Sequence, residues 1–138
     1  MTKVDFYILK NGSTDHTACK LVEKAYSLGH RVYVHTDSEN QAKQIDDMLW
    51  TYRAGSFVPH QRLQSGDEKE SPVLIGHQGS PEVDCDVLIN LAQEVPLFFS
   101  RFERVAELIG SDEENRQQGR QRYRFYKDRG YPLDTHDL

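Results

Sequence analysis

Arg116, Arg120, Tyr123, Arg124 and Lys127 fall at i, i+4, i+7, i+8 and i+11, a spacing that places all five on one face of an α-helix. The result is a stripe of four cations and one ring. A guanidinium fork holds a carboxylate through paired hydrogen bonds while a neighbouring ring supports an apolar group. The chemistry on offer is therefore reception of an anion that carries apolar bulk. The run from Arg116 to Arg129 holds six Lys/Arg and one Asp, a local charge of +5 within a chain of net charge −5. Charge alone leaves a second reading open, a solvated helix face whose other rings, Phe125, Tyr126 and Tyr131, anchor the helix to a sheet.

A second cluster lies near the middle of the chain. Residues 48–60 gather the only tryptophan, Trp50, with Tyr52, Phe57 and Pro59, just beyond the point where a helix should end. Exposed aromatics of this kind bury a large area on docking at low entropic cost. A loop that folds the same rings back onto the core is the equal alternative. The other chemistry-bearing residues do not assemble. His16, His30, His35, His60, His77 and His136 follow no zinc-ligand spacing. His60 closes the run Ser56-Phe-Val-Pro-His60, and its neighbours suit packing more than proton transfer. The acidic pairs Asp46/Asp47 and Glu113/Glu114 are adjacent in sequence, so on helices they point in different directions. These patterns lead to the expectation of no catalytic residue, no metal ligand and no cofactor.

Alternating strands and helices must position these groups. Residues 4–9 form a short apolar run that reads as a strand. Thr14 can cap a helix with Ala18, Leu21, Val22, Ala25 and Leu28 on one face, and Gly29 lies just past its end. Residues 31–36 read as a second strand. Asp37 or Ser38 then starts a second helix with Ala42, Ile45, Met48 and Leu49 inward. Residues 61–72 are polar and read as an exposed loop. Residues 72–76 and 86–90 are short, fully apolar runs, the pattern of strands covered on both faces. Residues 96–102 suggest one helical turn, and residues 104–109 the last strand. Ser111 can cap a final helix that Gly130 and Pro132 end. This order predicts an α/β fold, with a mainly parallel sheet and helices on both faces.

The bulk of the chain bounds its function. One domain spanning residues 1–138 is expected from the length. The net charge disfavours a general nucleic-acid coat, which needs clustered Lys/Arg to release counterions. Cys19 and Cys85 are far apart and match no disulfide framework, so free buried thiols are expected. The first ten residues carry Asp5 inside the apolar stretch and do not read as a signal peptide, and no segment reaches the length of a membrane span. The expected location is cytoplasmic. The loop after the first strand, Leu9-Lys-Asn-Gly-Ser-Thr14, has one glycine and no phosphate-cradling series.

Together these segments resemble the chi subunit of bacterial DNA polymerase III. The resemblance rests on the opening Phe-Tyr-Ile-Leu strand and on Gly-His-Arg-Val at residues 29–32. It continues through Gln41-Ala42 with Leu49-Trp50, Ser56-Phe-Val-Pro-His60, Asp86-Val-Leu-Ile-Asn90, and residues 120–126 before Gly130. It implies a three-layer Rossmann-like fold and a noncatalytic accessory protein of the clamp-loader assembly in DNA replication. One surface would hold the psi subunit, at the matching positions Trp50, Phe57, Val58 and Pro59. Another would hold the acidic C-terminal tail of single-stranded-DNA-binding protein, at Arg116, Arg120, Tyr123, Arg124 and Thr135. DNA would be contacted only indirectly. Arg124 stands where the family has lysine, which keeps the charge and alters the geometry.

Two other functions remain as rivals at this level. One is a nucleotide-using enzyme on the same α/β scaffold, opposed by the missing phosphate loop. The other is a direct single-stranded DNA binder in which Tyr123, Tyr126 and the arginines stack on and neutralise the strand, opposed by net acidity.

Overall fold

The computed structural model describes residues 1–53, 55, 57–63, 71–81 and 84–138. In chain order it contains β1 (Lys3–Ile8), α1 (Thr14–Ser27), β2 (Val32–His35), α2 (Glu39–Thr51), β3 (His60–Arg62), β4 (Val73–Gly76) and β5 (Val87–Asn90). A 3-10 turn at Phe99–Arg101 follows, then β6 (Arg104–Ile109), α3 (Glu113–Asp128) and β7 (Leu133–Asp137). The strands form one seven-stranded sheet in the order β3-β4-β2-β5-β6-β1-β7. Every pairing among the described residues is parallel.

Alternation along the strands builds two cores. Val32, Val34, Val73, Ile75, Ile89, Ala106 and Leu108 face α1 and α2, whose Ala18, Cys19, Val22, Ala42, Ile45 and Leu49 close that side. The intervening residues Val4, Phe6, Tyr33, Leu74, Leu88, Val105 and Ile109 face the opposite way, toward Phe99, Phe102 and Tyr126. Helices thus cover both faces, giving the three-layer α/β fold that the sequence predicts. The apolar runs of β4 and β5 are buried almost throughout, as strands sandwiched between helices must be.

Local chemistry sets the helix ends. Ser13, not Thr14, caps α1: its hydroxyl accepts from the amides of Asp15 and His16. Ser38 caps α2 by accepting from the amide of Gln41. Gly29 takes a left-handed φ of +87° after α1, where a side chain would be strained. At α3 the cap position belongs to Asp112 and not Ser111. The Asp112 carboxylate accepts from the Asn115 side chain instead of capping a helix amide.

Two further expectations are corrected. β6 is not the last strand, because residues 133–137 add β7 in parallel to β1. Its sequence, Leu-Asp-Thr-His-Asp, has a single apolar residue, so hydrophobic patterning cannot reveal it. It is held by backbone pairing, by Lys3 to Asp134 at 2.9 Å, and by His136, which reaches Asp5 at 3.1 Å and stacks on Tyr7 at 4.8 Å. The polar span expected as a loop from residue 61 in fact starts inside β3, the opposite edge strand, which pairs with β4. Residues 64–70 of that span lie outside the described residues.

Candidate functional site

The cationic stripe forms on the outer side of α3. Gly119, Arg122 and Tyr126 are the buried residues of this helix, and Gly119 permits close approach, since a Cβ there would collide with the end of the Ile109 side chain. Arg116, Arg120, Arg124 and Lys127 are exposed, and Tyr123 is half-buried. Tyr123 sits edge-on against Phe6 at 5.3 Å. Thr135 of β7 is in register with Phe6, so its side chain lies on the same face of the sheet as α3. Arg116, Arg120 and Arg124 thus lie on the outer side of α3, Tyr123 reaches over β1, and Thr135 lies on the same face of the sheet one strand further out. Arg120 reaches Glu113 at 3.5 Å. Glu113 and Glu114 occupy the first turn of α3, where carboxylates are favoured by the helix dipole. Such a flank offers cations for a carboxylate, a ring for an apolar group, and a strand edge for backbone bonds.

Beneath α3 lies a polar cluster that the spacing of the stripe does not reveal. Glu107 is fully buried and Arg122 is 6% exposed. Arg122 Nε donates to Glu107 at 2.8 Å, Nη1 to the Gln93 carbonyl at 3.1 Å, and Nη2 to the Leu108 carbonyl at 3.3 Å. The second Glu107 oxygen accepts from the Tyr126 hydroxyl at 2.7 Å and from the Asn90 amide at 2.9 Å. Burial pushes the Glu107 carboxyl up, against the pull of Arg122 and the other donors, and raises the Tyr126 phenol. The available signal was a glutamate on the period-two face of β6 that Val105 and Ile109 otherwise make apolar.

The aromatic cluster is split by the fold. Trp50 is 52% exposed and Phe57 65% exposed, with their rings 5.5 Å apart. Pro59 is half-buried, and Val58 points into the core at 1% exposure. Ser56 of the same motif lies outside the described residues. His60, at the start of β3, supports the patch from below, with its ring 4.5 Å from Trp50. Its Nδ1 lies 2.6 Å from the Val58 carbonyl and its Nε2 2.9 Å from Asp46 Oδ1, so both nitrogens are engaged in holding the loop.

At the carboxyl ends of the strands, where ligands bind in doubly wound sheets, lies a polar cleft of about 190 Å³ lined by residues including Thr14, Asp37, Gln93 and Asn115. Asp37 accepts from the Gln93 amide at 3.0 Å. Ser13 already occupies two amides at the start of α1, the groups a phosphate would require. Cys19 and Cys85 are buried free thiols. Burial pushes them up to about 12 and about 11, which leaves them protonated and unreactive. Among the described residues, no three His, Cys, Asp or Glu gather as a metal site, and no helix is long and apolar enough to cross a membrane.

Comparison with known proteins places these features in context. A family model described as the DNA polymerase III chi subunit, HolC, matches residues 1–134. DNA polymerase III subunit chi of Pseudomonas aeruginosa is 40% identical, covering 100% of this chain and 98% of that protein. The subunits chi of Haemophilus influenzae and Escherichia coli are 31% and 29% identical, covering 96% and 98% of this chain. Among solved structures, the C-terminal domain of the DEAD-box protein Dbp5 superposes with a TM-score of 0.63 at 13% identity, over 97% of this chain and 90% of that one. That likeness is one of fold alone.

Proposed function

The chain belongs to the DNA polymerase III chi subunit family, an accessory component of the replicative polymerase, and on that premise we propose that it bridges two proteins without performing chemistry itself. The α3 flank receives the acidic C-terminal tail of single-stranded-DNA-binding protein. The Trp50/Phe57 patch docks the psi subunit, through which the chain joins the clamp loader. The protein thereby tethers the polymerase to protein-coated single strands in the cytoplasm, and meets DNA only indirectly.

The observation that supports the tail reading is the exposed row of Arg116, Arg120 and Arg124 on the helix whose Tyr123 is packed against Phe6, on the face of the sheet that Thr135 shares. A tail that ends in a carboxylate after an aromatic residue needs a fixed cation next to an apolar support, and its upstream acidic residues need further positive charge. The flank has both. On the psi side, support comes from two large exposed rings, Trp50 in the last turn of α2 and Phe57 on the loop before β3, with His60 packed against Trp50, since such rings are hot-spot material. The nucleotide-enzyme rival is disfavoured by the capped amides of α1 and the carboxylate in the cleft.

Titration of a fluorescently labelled acidic decapeptide ending in Phe with a free carboxylate tests the site. Arg120→Ala is expected to weaken binding about tenfold or more, with both affinities falling as salt rises. Equal affinity of the two proteins would sink the assignment.

A further inference from the structure

α3 is an unusually polar helix to be packed on a sheet. Its inward residues are Gly119, Arg122 and Tyr126, of which Gly119 has no side chain to bury and Arg122 is charged. Half-buried rings, Tyr123 and Phe125, flank Tyr126 on either side. Burial of rings alone therefore specifies the rotation of the helix weakly, because a turn in either direction still finds a ring to bury. A buried ion pair behaves differently. It contributes little net stability but excludes arrangements that would leave either charge unpaired. Arg122 can meet Glu107 on β6 and the Gln93 and Leu108 carbonyls in only one rotation of α3, and Tyr126 locks onto the other Glu107 oxygen from the next turn.

We propose that Glu107 and Arg122 are positioning residues for the anion-binding flank: their buried pairing fixes the rotation of α3 so that Tyr123 lies over Phe6 of β1 and Arg116, Arg120 and Arg124 stay on the outer side of the helix. This inference rests on the tail-binding reading above. The two residues touch no ligand themselves, and their effect passes through the orientation of the helix. Replacing both with apolar residues of similar volume removes the selection while leaving no unpaired charge.

The test compares the native chain, Glu107→Leu/Arg122→Met, Arg120→Ala and the triple variant, using the labelled acidic decapeptide. Far-ultraviolet circular dichroism and the emission of Trp50, the sole tryptophan, report that the fold persists. The double variant is expected to keep both signals, to bind at least about tenfold more weakly, and to lose less than about threefold when Arg120→Ala is added. A merely structural role would leave the dependence on Arg120 at its native size. If Arg120→Ala weakens the native chain while the double variant binds like native, the positioning role is overturned and the site stands. If Arg120→Ala changes nothing in the native chain, the site falls and the positioning claim with it. Should the double variant unfold, Arg122→Lys keeps the charge and loses the fork to Gln93 and Leu108. Binding weakened at least about threefold by that change supports the proposal, and native binding overturns it.

Discussion

Individual residues of the two surfaces divide into those that meet a partner and those that hold them in place. Val58 and Phe57 are neighbours, yet one is sealed in the core and the other two-thirds exposed, so a single motif supplies both the anchor and the contact. On α3 the same division separates Arg122, enclosed with Glu107, from Arg120, which lies in water. Arg120 is not idle in the free protein, because Glu113 holds its guanidinium at 3.5 Å. An incoming carboxylate must displace that contact. Exposed pairs of this type contribute about 0.2–1 kcal/mol, so Glu113→Gln is expected to raise affinity for the acidic decapeptide about twofold at low salt. Fluorescence anisotropy at two ionic strengths checks this, and the gain should shrink as salt screens the competing carboxylate.

At the level of the element, α3 depends on Gly119 to lie close against β6. A Cβ at that position would press on Ile109 Cδ1 and stand 2.8 Å from Cγ1. Alanine improves helix propensity by about 1 kcal/mol, but overpacking costs about 1–3 kcal/mol, and the second effect should win. Gly119→Ala is expected to lower the denaturation midpoint, and Ile109→Val added to it should recover part of the loss by removing the Cδ1 methyl. A urea titration of the native chain and the two variants decides the sign. An increase in stability for Gly119→Ala alone would show that α3 has slack against the sheet. β7 illustrates the opposite case, an element with almost no apolar burial that is stabilised by backbone pairing along β1 and by the Lys3, Asp5 and Tyr7 side chains beside it.

For the whole molecule, the strand order sets the two surfaces apart. Trp50 rests on His60 of β3, one edge of the sheet, while Thr135 belongs to β7, the other edge, and Tyr123 lies over Phe6 of the adjacent β1. Six inter-strand steps of about 4.8 Å separate those edges by roughly 29 Å. Sites so far apart with no shared partner residues are expected to act independently. Trp50→Ala should therefore change affinity for the acidic decapeptide by less than about twofold, and a change above fivefold would reveal coupling through the sheet. Stability should also respond to alkali. Cys19 and Cys85 are raised in the fold to about 12 and about 11 from 9.0. The unfolded chain therefore releases thiol protons above pH 9 that the folded chain retains. Their contribution is intact below pH 9 and is lost as pH rises toward 11, at about 1.4 kcal/mol per pH unit for each thiol. Urea midpoints between pH 8 and 10.5 measure the slope, which Cys85→Ala should make shallower.

Elements whose physics is local were legible from residue order alone. Helical spacing placed the cations of α3 on one face, Gly29 and the capping residues marked both ends of α1 and the start of α2 to within a residue, and apolar runs marked β4 and β5 as buried strands. Residue order also determined which residue types were available to each surface, since the stripe and the aromatic motif are contiguous in the chain. The tertiary structure alone decided what depends on distant neighbours. β7 carries one apolar residue and exists because β1 offers it an edge. Thr135 lies on the α3 side of the sheet because parallel register aligns it with Phe6. Val58 separates from Phe57 because strand β3 draws the loop inward. The pairing of Glu107 with Arg122 is the clearest instance. A charge can leave water only where another part of the chain meets it, and no pattern within either segment states that the other will be there.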